Sequence, residues 1–136
     1  MSVSDDLMPV EPPRALSADE RALIDRLLHQ KFRGRDELYG QLADCRIIAE
    51  SSRIGEWADA RTIVFTPSPN AKSRAQTALR VPVEASMTDN DGTEIEILLH
   101  VVDGEAKELE IYRVDGEPIQ LERLEGPLKW IIVNED

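Results

Sequence analysis

The chain has 136 residues, a length that predicts one domain with a core of its own. It carries 27 Asp and Glu against 16 Lys and Arg, a net charge of −11, and one cysteine, Cys45. These figures exclude an intramolecular disulfide, oppose non-specific binding to nucleic acid or to an anionic membrane, and fit a reducing, cytoplasmic location.

Residues 1–15 hold three prolines and several acids without periodicity, and read as a flexible arm; residues 16–136 read as a single α+β domain. The opening MSVSDDLMPVEPP has neither the basic nor the apolar segment of a signal peptide. No apolar run approaches the ~18 residues of a membrane-spanning helix. A helix begins after Ser17. Ser17 as N-cap and Glu20 as its reciprocal partner form a capping box, and Leu23, Ile24, Leu27 and Leu28 form an apolar stripe. Gly34 turns the chain into a second short helix, about Arg35 to Ala43, with Leu38 and Leu42 inward. Beyond it the pattern is β: Cys45–Ala49, Arg61–Thr66, Leu79–Met87, Thr93–Val102, Glu105–Val114 and residues 128–133. Residues 67–77 form a polar loop, and Pro82 points to an edge strand or a bulge. Helices first and strands afterwards predict an N-terminal two-helix unit packed on one face of a mostly antiparallel sheet of about four to six strands.

The charge is unevenly placed. Residues 1–80 carry 12 acidic and 12 basic side chains, whereas residues 81–136 carry 15 and 4, so the β region holds the whole imbalance. Within the hairpin of residues 93–114, a plain two-residue Asp103–Gly104 loop sets Ile97 opposite Glu110 and Leu99 opposite Glu108, mixing core residues with carboxylates. A three-residue loop separates the faces. Loop 102–104 pairs Ile97 with Leu109 and Glu96 with Glu110; loop 103–105 pairs His100 with Glu108. Both leave Glu94, Glu96, His100, Glu108, Glu110 and Tyr112 on one face.

That face has a plain reading, a solvated sheet surface kept charged against aggregation. Its functional readings are a docking patch for a basic protein, or an acid–base or metal site, since neighbouring carboxylates can divide acid and base roles. His29 reads as a helix C-terminal residue and Cys45 as a buried structural thiol. Asp89–Asn90–Asp91–Gly92 resembles the opening of a calcium loop, but Leu98 stands where a later acidic ligand belongs, so a turn joining the strands 79–87 and 93–102 explains it better. Lys31, Arg33 and Arg35 form a small basic cluster, read as complementing the first helix's C-terminus or as an anion site. A second cluster is Lys72, Arg74 and Arg80. No catalytic residues, metal ligands or cofactors are predicted.

The run LLHVVDGEAKELEIYRVDGEPI (98–119), following RALSADERALIDRLL and GRDELYGQLADCRI, resembles a family of small bacterial proteins of unknown function, over roughly residues 14–49 and 79–120. The resemblance implies a stand-alone bacterial, cytoplasmic domain and assigns no catalytic residue. The leading functional expectation is a non-enzymatic protein-interaction domain that meets a basic protein. The alternatives are an immunity-type inhibitor of a basic toxin, and a small enzyme or ligand binder using the carboxylate and histidine face. A homodimer through Trp130 and the last apolar segment, or through an edge at 79–87, is a further expectation.

Overall fold

A computed structural model of the chain describes residues 7–51, 60–68, 74–76 and 80–133. The elements are β1 (Leu7–Arg14), α1 (Ala18–Leu27), α2 (Arg35–Leu42), β2 (Arg46–Ser51), β3 (Ala60–Thr66), β4 (Val83–Thr88), β5 (Glu94–Val102), β6 (Glu105–Arg113) and β7 (Lys129–Val133). Every paired neighbour is antiparallel, in the order β1-β2-β3-β6-β5-β4-β7. The α+β class with an antiparallel sheet therefore holds, but the sheet has seven strands, more than the four to six expected. Among the described residues no helix is long and apolar enough to cross a membrane.

The extra strand is β1, which lies within the segment expected as a flexible arm. It adds to β2 through Leu7, Met8 and Pro9, then through Arg14 after a register shift. Prolines lack the N–H that a ladder needs, so a proline-rich strand fits a sheet only at an edge, where β1 lies.

Both helices cover one sheet face. From α1 and the turn after it come Leu23, Ile24, Leu27 and Leu28, and from α2 come Leu38 and Leu42. They meet Ile47 and Phe65, Ile95, Ile97 and Leu99 of β5, and Leu109 and Ile111 of β6, all essentially inaccessible to water. Burying such a side chain contributes about 1.5–3 kcal/mol, so this layer is the main stabilising element.

The inner face also buries charge. Ser17 and Glu20 form the expected capping box, with Glu20 N–H donating to Ser17 Oγ at 3.1 Å and Ser17 N–H donating to Glu20 Oε1 at 2.8 Å. Glu20 is only 3% exposed and does more than cap. Arg14 donates to both its oxygens, at 2.8 and 2.9 Å, and to Glu50 at 2.7 Å. Arg61 reaches Glu20 at 3.2 Å and Glu50 at 3.4 Å. The cluster ties β1, α1, β2 and β3 together. Burial pushes the Glu20 carboxyl up, but the Arg14 hydrogen bonds and the Ser17 N–H outweigh it and hold the group below its ordinary value.

From His100 back along β5, the β5–β6 hairpin has the register expected for the 103–105 loop, with His100 opposite Glu108, but it reaches that register by a turn not foreseen. Its turn is the two-residue Asp103–Gly104 loop, with φ of 52° and 77°, and Val102 pairs with Glu105. The register then shifts between His100 and Val101, so that Val101 pairs with Ala106 while His100 pairs with Glu108 and Lys107 is skipped. This bulge inserts one residue into β6 and restores the separation of faces that an unbulged two-residue loop would destroy. Glu96 consequently lies opposite Tyr112, and Leu98 opposite Glu110, so no like-charge pair arises. Gln41 of α2 holds the turn. Its Nε2 donates to Gly104 O at 2.9 Å and its Oε1 accepts from Ala106 N–H at 2.8 Å. Gly104 also admits a close neighbour, since a Cβ there would lie 2.5 Å from Ala75 O.

Two outcomes follow from these contacts. Gln41→Met, which keeps the side-chain size but removes both bonds, is expected to cost about 1–2 kcal/mol in urea unfolding, because the buried Ala106 N–H loses its acceptor, while Gly104 O keeps the Ala75 N–H that donates to it at 2.9 Å. Glu20→Gln is expected to cost about 3 kcal/mol, because two guanidinium groups lose a buried counter-charge. With its native pKa lowered, Glu20 contributes stability that is complete above its unfolded value of about 4.3 and is lost as pH falls through the folded value. Unfolding across an acid pH series should therefore show a weaker acid dependence in Glu20→Gln than in the wild type.

Candidate functional site

The helices leave the opposite sheet face free of packed elements among the described residues. Alternation on β5 and β6 sends Glu94, Glu96, Leu98 and His100 outward from the first strand, and Glu108, Glu110 and Tyr112 from the second, while their neighbours are buried. Five of the six residues expected to share this face are drawn together. His100 Nε2 and Glu110 Oε1 lie 2.9 Å apart, and His100 pairs across the ladder with Glu108. The Tyr112 hydroxyl donates to Glu96. Glu94 lies on the same face at the exposed start of β5, opposite Thr88.

Glu84 joins the group from β4, where it lies opposite Leu98 within reach of Glu96. Burial, and then the Glu96 charge, push its carboxyl above the ordinary value. The strand VEASMT alternates, so an outward Glu84 was readable; its nearness to Glu96 required knowing that β4 borders β5. Tyr112 is held in its neutral form, first by the bond it donates to Glu96 and then by its partial burial. The hydroxyls of Ser51 and Thr62 and the Nδ1 of His100 are buried without a hydrogen-bond partner among the described residues. Thr62 pairs with Glu110, so the face has a polar floor.

The carboxylates here have few cations. Among the described residues the nearest cation to Glu108 is Arg80, at 4.0 Å. Otherwise the contacts are a phenol, an imidazole and a second carboxyl. Such a set can accept hydrogen bonds from a cation and hold it electrostatically.

The other candidates fall elsewhere. Lys31 and Arg33 are exposed, and Arg35 pairs with Asp36 at 3.1 Å. Arg33 lines an open cavity of about 450 Å³ with Gly34, Glu37, Arg74 and Gln76, in which Glu37 offsets the positive charge. Lys72 of the second cluster lies outside the described residues. His29 follows α1 and is exposed, and Cys45 is buried, with burial raising its thiol pKa.

The Asp89–Gly92 turn is a turn, and its aspartates are in use. Arg113, only 5% exposed, donates to Asp89 at 3.0 Å, to Asp91 at 2.9 Å and to Asp115 at 2.6 and 2.8 Å. The guanidinium stands where a calcium loop would place its ion. Asp89 also accepts the N–H groups of Asn90, Gln120 and Leu121. Arg113 brings Asp115 down to about 2, chiefly through its hydrogen bonds. The signal for this site was available: Arg113 continues the inward series Leu109, Ile111, and an inward arginine requires buried counter-charges.

In a Tyr39→Phe background Tyr112 is the remaining phenol. Its ionisation, followed by ultraviolet absorbance, is expected well above the usual value of about 10. Glu96→Gln is expected to return it toward that value; an unmoved titration would contradict the role given to Glu96.

Comparison with known proteins adds a family and no activity. Neither a curated protein nor a solved structure matches the chain. Residues 13–122 match the family described as a domain of unknown function, DUF6984, which spans both helices and six of the seven strands at least in part. The chain belongs to that uncharacterised family.

Proposed function

We propose that this chain is a non-enzymatic protein-interaction domain whose outer sheet face takes a basic segment of a partner protein. The observation that carries the reading is a difference between the two faces. On the inner face Glu20, Glu50 and Asp89 are each met by arginine at 2.7–3.4 Å. On the outer face, among the described residues, Glu84 and Glu96 contact one another and the Tyr112 phenol, and Glu110 contacts the His100 imidazole; none of the three is met by arginine or lysine. A half-buried carboxylate without a counter-charge gains from a cation brought by a partner, and such a patch steers a basic partner toward itself. An immunity-type inhibitor of a basic toxin is one version of this reading. Against catalysis, Tyr112 is held protonated, so it is unsuited to act as a base, and the one cysteine is a buried thiol with a raised pKa. We place the protein in the cytoplasm, in keeping with its single cysteine.

The test uses a lysine- and arginine-rich peptide as probe, followed by fluorescence anisotropy. Glu108→Lys with Glu110→Lys is expected to weaken binding at least about tenfold, with affinity falling as salt rises. The control pair Glu117→Lys with Glu125→Lys makes the same change in net charge at exposed loop positions and is expected to weaken it far less. Equal losses from the two pairs would reduce the interaction to net charge and sink the reading. A cation favours ionised Glu84, whose pKa is raised, so affinity should also climb as pH rises through that value.

A further inference from the structure

The inner face shows how this chain holds a guanidinium. Arg14 donates from both terminal nitrogens to the two oxygens of Glu20, at 2.8 and 2.9 Å. Arg113 treats Asp115 in the same way, through Nε at 2.8 Å and Nη2 at 2.6 Å. A planar guanidinium is matched by a carboxylate that turns both oxygens toward it side by side.

The outer face offers its carboxylates differently. Glu110 has one oxygen, Oε1, engaged by His100 Nε2 at 2.9 Å, and Glu96 has Oε2 engaged by the Tyr112 hydroxyl. Glu84 and Glu96 lie close enough to share a hydrogen bond. Glu108, opposite His100, has Arg80 at 4.0 Å. At the centre of the group is Leu98, which is partly exposed. Glu84 of β4 lies opposite it on one side and Glu110 of β6 on the other, with Glu96 and His100 two residues away along β5. Beyond Glu110 in the same row comes Thr62 of β3. Thr62 is only 1% exposed, and its hydroxyl has no hydrogen-bond partner among the described residues. A buried hydroxyl left unpaired costs stability, so a donor brought to it is a gain.

We infer, resting on the reading of this face as a docking patch for a basic segment, that the residue it selects is lysine and not arginine. The lysine stem crosses Leu98, and its ammonium is held by the unengaged oxygen of Glu110 and the hydroxyl of Thr62, with the Glu84–Glu96 pair adding negative charge behind it. A lysine ammonium is a compact charge with three N–H groups pointing apart, which suits single acceptors on separate side chains. Its four-carbon stem suits an apolar centre ringed by carboxyls. A guanidinium would find neither Glu96 nor Glu110 with both oxygens open to its fork.

Fluorescence anisotropy with labelled hexalysine and hexaarginine, probes of equal length and charge, reads the selection. The wild type is expected to bind hexalysine at least about fivefold more tightly, a comparison that needs no variant. His100→Leu returns the second oxygen of Glu110 and is expected to raise the affinity for hexaarginine until the preference is lost. Thr62→Val keeps the side-chain shape without the hydroxyl and is expected to weaken hexalysine binding at least about threefold, with hexaarginine unchanged. Circular dichroism and the urea midpoint establish that both variants are folded. Wild-type protein that binds the two peptides equally, or hexaarginine more tightly, overturns the inference and leaves the docking reading standing. Binding of neither peptide sinks both. A preference for hexalysine that persists undiminished in both folded variants overturns the placement at Glu110 and Thr62.

Discussion

Arginine paired with inward-facing carboxylates is the element on which the rest of this molecule depends. Arg14 and Arg61 neutralise Glu20 and Glu50 where β1, α1, β2 and β3 meet. Arg113 neutralises Asp89, Asp91 and Asp115 where the Asp89–Gly92 turn and the end of β6 meet. A buried carboxylate without such a partner would be strongly destabilising, so these pairs permit charge inside a layer otherwise filled by leucine and isoleucine. Their second effect is on charge distribution. Arginines spent inward are not available to the outer face, and the acidity of the β region is therefore most weakly compensated there.

Which residues face outward is decided by a single residue of backbone. Side chains on a strand alternate, so a one-residue slip of β6 against β5 would exchange Leu109 and Ile111 for Glu108 and Glu110 on the core side. The bulge at Lys107 prevents that slip, and Gln41 supports the turn beside it by bonding Gly104 O and Ala106 N–H. The helix layer and the outer face are thus mechanically linked. The α2 residue that packs against the hairpin tip also fixes the register that presents His100, Glu108 and Glu110 together.

Local signals in the sequence carried most of the architecture. The capping box, the leucine stripe of α1 and the alternation of β5 and β6 are short-range patterns, and each corresponds to an element of the fold. The grouping of Glu96, His100, Glu108, Glu110 and Tyr112 followed from that alternation. What stayed hidden depended on neighbours distant in the chain. Strand β1 is legible only once the sheet has an edge to receive its prolines. Glu84, by contrast, joins the site through the local β4–β5 hairpin, whose turn at Asp89–Gly92 was expected from the sequence. The ion-pair centres had a fainter mark: Glu20, Arg61 and Arg113 each continue an inward apolar series, Glu20 with Leu23, Ile24 and Leu27, Arg61 with Ile63 and Phe65, and Arg113 with Leu109 and Ile111. Charges at inward positions announce buried partners without saying which.

Carboxylates are stabilised on the inner face and not on the outer, and site-resolved NMR titration of the side-chain carboxyls measures this most directly. Glu20 and Asp89 are expected below their ordinary values, Asp115 near 2, and Glu84 above its ordinary value. Glu84 titrating at or below the usual glutamate value of about 4.3, or Glu20 titrating at it, would contradict the division of charge between the two faces.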